Sequence, residues 1–129
     1  MKNMIVLLAL LACADGAQAQ DLAAGETSFR KCTPCHSIGE DAKNNRVGPA
    51  LNGLDGRKAG TIDGYSYSPF NKASGIVWSA ATFREYIRSP QAMIPRTKMT
   101  FAGIRNEQEI TDLWAYLARF DADGKLKPQ

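Results

Sequence analysis

The sequence predicts a single small all-α domain. Three observations carry this. Ile110, Leu113, Trp114 and Leu117 recur at i, i+3, i+4 and i+7, the stripe of an amphipathic helix. No segment alternates apolar and polar residues convincingly as a strand. Residues 37–77 hold seven glycines and two prolines in one irregular run. That is too long for a compact domain unless something else orders it.

The elements follow in order. Lys2 and the apolar run Met4 to Ala12 precede Ala17-Gln18-Ala19, an A-x-A cleavage site. The run is too short to span a bilayer, so residues 1–19 read as a secretory signal peptide and 20–129 as the mature domain. Leu10-Leu11-Ala12-Cys13 also resembles a lipoprotein processing site, which would leave a lipid anchor on Cys13. The c-region from Asp15 to Ala19 favours the A-x-A site. Asp21 caps a first helix reaching about Lys31, with Leu22 and Phe29 as apolar members. The irregular stretch runs from about Ser37 to Val77. Ser79 caps a helix from about Ala80 to Arg88, stopped before Pro90. Gln91 to Ile104 form a connection. Asn106 caps the last helix, with Glu109 three residues on, as in a capping box. The first and last helices should pack closely at Gly25, where an aromatic such as Tyr116 can approach. The domain core covers about 22–119, and a polar tail follows from Asp121 to Gln129.

Net charge is +3, and Lys2 and Asp15 cancel, so removing the signal leaves it unchanged. The basic residues are scattered, which excludes the concentrated stripe that nucleic-acid binding needs. Mild basicity reads instead as steering toward acidic protein partners.

Cys32-Thr33-Pro34-Cys35-His36 carries the chemistry. C-x-x-C-H is the attachment site of a c-type haem. Two thiols add to two vinyl groups of one haem. In a helical segment Cys32, Cys35 and His36 share a face, so the imidazole can reach the iron. A redox dithiol would need βαβ surroundings, which are not found. A structural zinc site needs four ligands, and the mature chain offers Cys32, Cys35 and His36. His36 is the only histidine, so the chain holds no second imidazole for the iron. Met93 and Met99 are the methionines of the mature chain. A thioether is a soft ligand that raises the reduction potential. An isolated methionine is usually a core filler, but the open iron position and the polar loop around Met99 favour it as a ligand.

An ordered set of segments extends the motif: Val47-Gly48-Pro49; Gly56-Arg57-Lys58; Gly64 to Ser68; Asn71-Lys72; Gly75 to Trp78; Glu85-Tyr86-Ile87; Thr97 to Gly103; and Asp112 to Leu117. In these the chain resembles class I cytochromes c, of the mitochondrial and bacterial cytochrome c2 type, over nearly all of the mature domain. The resemblance implies the small class I fold: crossing N- and C-terminal helices, further short helices, and long loops wrapped around one covalent haem c. It implies His36 and Met99 as axial iron ligands. The Pro49 carbonyl should accept from the free His36 ring N–H. Tyr67 and Trp78 should donate to a haem propionate, with Arg57 near it. Asn71, Tyr86 and Thr97 should form a polar network beside the methionine sulfur. Leu51, Leu54, Ile87 and Phe101 should line the haem crevice. Trp78 and Tyr86 would serve equally as aromatic core.

With both axial positions filled, the implied function is one-electron transfer, not catalysis. A peroxidase or ligand sensor would need an open sixth position, and the chain has no distal histidine. The implied setting is the periplasm. A monomeric carrier would dock transiently on acidic surfaces of membrane redox complexes. The donor would be a cytochrome bc complex and the acceptor an oxidase or a photosynthetic reaction centre. Lys31, Arg46, Lys98 and Arg105 fall in plausible docking positions. Gln91 and Ala92 stand where mitochondrial members commonly have lysine, and Arg96 stands where a glycine is usual.

Overall fold

A computed structural model describes residues 19–128. The apolar run of the predicted signal and Cys13 lie outside them. The described residues form five helices: α1 (Leu22–Phe29), α2 (Pro69–Ala73), α3 (Ala80–Arg88), α4 (Pro90–Met93) and α5 (Glu107–Ala118). The β pairing among them is limited to two isolated antiparallel bridges, Lys58 with Val77 and Phe120 with Leu126. Fold class and the three principal helices agree with the sequence reading.

Helices α1, α2, α3 and α5 each begin where a side chain satisfies an orphan backbone donor. Asp21 accepts from the Ala24 N–H, and Asn106 from the Glu109 N–H, each at 2.9 Å. Ser79 and Thr82 close a reciprocal capping box at α3. The box expected at Asn106 closes on one side, because the Glu109 carboxylate reaches across to α1 instead. There it accepts from Ser28 Oγ at 2.7 Å and pairs with Lys31.

Three details differ from expectation. α1 ends at Phe29, two residues early, because successive i→i+3 bonds tighten residues 29–32 into turns and Pro34 cannot donate to a continuing helix. The long irregular stretch contains α2, capped by Ser68 with Pro69 in its first turn. Pro90 stops α3 as expected but also opens α4, since a proline's missing N–H costs nothing at a first helical position.

α1 and α5 pack on each other. A Cβ at Gly25 would stand 2.1 Å from the Asp112 carbonyl oxygen and 2.9 Å from Tyr116 Cβ, so only glycine permits this approach. The Asp21 N–H donates to Asp112 Oδ1 at 2.9 Å across the same contact. The stripe of α5 is the centre of the core, with Leu113 fully buried between Ile110 and Leu117. Phe83 of α3 stacks on Trp114 at 5.2 Å between ring centroids. The polar tail turns back on itself: Asp121 N–H donates to Lys125 O at 2.9 Å and Lys127 N–H to Arg119 O at 2.8 Å.

Candidate functional site

A cleft with about 880 Å³ of empty space opens between the α1 end of the molecule and the loop after α4. Its floor is apolar, formed by Leu51, Leu54, Phe83, Ile87, Leu113 and Leu117.

One wall is the turn after α1. Cys32 and His36 line the cleft, and the His36 N–H donates to the Cys32 carbonyl at 2.8 Å. That single helical turn brings the i and i+4 side chains to one face. His36 Nδ1 lies 2.7 Å from the Pro49 carbonyl, which can only accept, so Nδ1 carries the proton and Nε2 keeps its lone pair. Burial pulls the imidazole below its ordinary value, keeping it neutral. Burial pushes the Cys32 thiol up to about 11, so as a free thiol it stays protonated. Gly48 presses on this turn: a Cβ there would stand 2.4 Å from the Cys35 carbonyl and 2.9 Å from the His36 ring.

The opposite wall is the loop carrying Thr97, Lys98 and Met99. Tyr86 donates its hydroxyl to Met99 Sδ at 3.2 Å. The Met99 N–H donates to Thr97 Oγ1 at 3.2 Å, and Lys98 donates to the Ser66 carbonyl. Burial raises the Tyr86 hydroxyl, so it remains a donor at neutral pH. Trp78 stands edge-on to Tyr86 at 4.9 Å. Met93 packs against the core instead.

A third set is polar. Arg57, Tyr67 and Asn71 face the cleft. Burial lowers the Arg57 pKa. The ion pairs of the described residues join Lys31 to Glu109 and Arg84 and Arg88 to Glu107, so no carboxylate among the described residues balances Arg57. Asn71 Oδ1 is buried without a hydrogen-bond partner. A free imidazole nitrogen, a thioether, a half-buried cation without a carboxylate partner among the described residues, and an apolar floor fit a large apolar group that carries a metal and an anionic edge.

Most of the predicted site thus converges: Cys32, His36, Pro49, Leu51, Leu54, Arg57, Tyr67, Asn71, Trp78, Tyr86, Ile87, Thr97 and Met99. Cys35 is half-buried, next to His36 but not in the lining. Phe101, two residues beyond Met99, is half-buried against the core cluster together with Met99 and Leu51 and is not among the residues lining the cleft. Of the docking residues, Lys31 is engaged by Glu109, Lys98 reaches into the cleft, and Arg46 and Arg105 are exposed. Sequence reasoning missed Val47, Tyr65, Phe83, Leu113 and Leu117 as lining residues. Leu113 and Leu117 were visible as an apolar stripe, but periodicity cannot tell a core face from a face turned to a cofactor.

Comparison with known proteins agrees with the geometry. The sequence model of the family described as Cytochrome c matches residues 22–120. The chain is 56% identical to cytochrome c2 of Blastochloris viridis over 126 residues, 98% of each chain. It is 64% identical to cytochrome c-550 of Bradyrhizobium diazoefficiens over 105 residues, covering 81% of this chain and 76% of that protein. Among solved structures, cytochrome c2 from Rhodospirillum centenum superposes with a TM-score of 0.73 at 39% identity, covering 78% of this chain and 98% of that one.

Proposed function

The chain belongs to the cytochrome c family, an electron-transfer protein with one covalently attached haem c, and on that premise we propose that it is a periplasmic one-electron shuttle. When bound, the haem supplies reversible Fe(II)/Fe(III) chemistry. Cys32 and Cys35 hold it through thioethers. His36 Nε2 and Met99 Sδ would bind its iron from the two walls of the cleft. The observation that carries this is the convergence of His36 and Met99 on one cleft.

The remaining residues tune and protect the centre. Pro49 fixes the His36 tautomer and ring plane, a contact that raises ligand basicity. The Tyr86 hydroxyl withdraws electron density from the sulfur. Arg57, Tyr67 and Trp78 line the cleft where they would meet the anionic carboxylates, and the apolar floor would exclude water, which favours the less charged reduced state. Because the ligands are carried by packed elements, little rearranges when an electron moves.

Residues 1–19 direct export and are removed after Ala19. The mature monomer, residues 20–129, accepts an electron from a cytochrome bc complex and delivers it to an oxidase or a photosynthetic reaction centre. The exposed Arg46, Lys98 and Arg105, with Lys31, steer docking on acidic surfaces, which makes the binding weak and salt-sensitive.

Absorption spectroscopy of the purified protein, oxidised and reduced, tests the ligation. The weak red sulfur-to-Fe(III) band should be present and should vanish in Met99→Ala. A five-coordinate spectrum in the unsubstituted protein, with ready uptake of added ligands, would overturn it.

A further inference from the structure

Arg57 is a half-buried cation with no carboxylate of the described residues paired with it, and its connections run away from the cleft. Its Nη1–H donates to the Asn52 carbonyl at 2.6 Å. That carbonyl belongs to the Asn52–Gly53 peptide, whose N–H, on Gly53, donates to the Phe120 carbonyl at 3.2 Å. One peptide unit therefore joins the cleft to the chain just past the C-terminal end of α5. Carbonyls at a helix C-terminus carry partial negative charge. The three groups are aligned head to tail, so each hydrogen bond polarises the next in the same sense.

The peptide is clamped from the other side as well. Asn52 Oδ1 accepts from the Gly39 N–H and Asn52 Nδ2 donates to the Gly39 carbonyl, both at 2.9 Å. Gly124 of the tail lies on this pair. A Cβ there would stand 2.1 Å from the Gly39 oxygen and 2.7 Å from Asn52 Nδ2, and its φ of +78° is one that side chains rarely adopt. The turn closed by Asp121 with Lys125, and by Arg119 with Lys127, holds Gly124 in that position. None of these tail residues lines the cleft, so any influence on it passes through the peptide.

We infer that the C-terminal hairpin is a positioning element: it seats the Asn52–Gly53 peptide, which in turn aims the Arg57 guanidinium at the haem carboxylate. This rests on the reading of Arg57 as the carboxylate's partner.

The test measures the reduction potential of the haem-loaded protein and, separately, hydrogen exchange of the Gly53 amide. The variants are Gly124→Val, deletion of residues 123–129 in case the first does not fold, Arg57→Gln, and each tail change combined with Arg57→Gln. Both tail changes should speed Gly53 exchange. They should also lower the potential, because a nearby cation favours the electron-rich state, and should lower it no further when Arg57 is already glutamine. Tail variants that lose thermal stability but keep the potential would overturn the inference. So would a decrease that adds fully to that of Arg57→Gln. An unchanged potential in Arg57→Gln itself would remove the underlying placement of Arg57, and the proposal with it.

Discussion

The two walls of the cleft are built by different means. The His36 wall is held by backbone groups: a helical turn from Cys32, the Pro49 carbonyl on the His36 ring, and the Gly48 backbone pressed on both. The Met99 wall hangs on side chains: Tyr86 on the sulfur, Thr97 on the Met99 N–H, and Lys98 on Ser66. Arg96, at the start of that loop, has a φ of +56°, the one positive value at a non-glycine among the described residues. Its guanidinium sits 5.6 Å from the centre of the Phe70 ring. Backbone contacts move only if the segment unfolds, whereas side-chain ties release one at a time. The methionine wall should therefore yield first.

The largest expected effect breaks the rigid wall. Gly48→Val would force a side chain into the Cys35 carbonyl and the His36 ring, where overpacking costs about 2–3 kcal/mol. Denaturant unfolding should show that loss, with the low-spin spectrum weakened. An unchanged midpoint would mean the His36 wall is as pliable as the other.

Tyr86→Phe cuts one tie of the softer wall and keeps the ring packed on Trp78. Losing a hydrogen bond to a weak sulfur acceptor costs about 0.5–1 kcal/mol. Imidazole should then displace Met99 about two- to five-fold more readily, by the conversion of 1.4 kcal/mol per tenfold. His36 ligation should be untouched.

Acid sharpens the comparison from behind the rigid wall. The hydrogen bonds of Lys31 and Ser28 hold the Glu109 carboxyl below its ordinary value of 4.5. Its folded pKa is thus lower than its unfolded one. The contribution is complete above the unfolded value and is lost as pH falls through the folded one. Thermal midpoints should decline below about pH 4.5, less steeply in Glu109→Gln. The carboxylate is partly exposed, so the difference should be small. The same slope in both proteins would show that the α1–α5 tie is screened out.

The smallest effect is Arg96→Gly. It relieves left-handed strain of about 1 kcal/mol but gives up a cation–π contact of about 0.5–1 kcal/mol. Stability should stay within about 0.5 kcal/mol of the parent, while imidazole exchange at the iron quickens. Unchanged exchange would show that Phe70 does not restrain the loop.

Local rules were enough wherever partners are close in sequence. Asp21, Ser79 and Asn106 announce their helices because a cap acts on donors two or three residues away. C-x-x-C-H announces its chemistry because all its atoms lie within one turn. Short helices were harder: α2 and α4 open on Ser68-Pro69 and Ser89-Pro90, pairs that also read as turns. Glu109 looked like half of a local box but answers to Ser28 and Lys31, 81 and 78 residues away.

By itself, then, the sequence determined the all-α class, the principal helices, the meeting at Gly25, the haem attachment segment and the pairing of His36 with Pro49. Each of these follows from local geometry or from an ordered set of motifs. Only the tertiary structure decided which apolar residues face the cleft and which face the core, so that Leu113 serves both. It alone joined Arg57 through one peptide to Phe120, and folded the polar tail onto Gly39 and Asn52. Those contacts bring together groups tens of residues apart, and a side chain's pattern along the chain records how often a face recurs but not what that face meets.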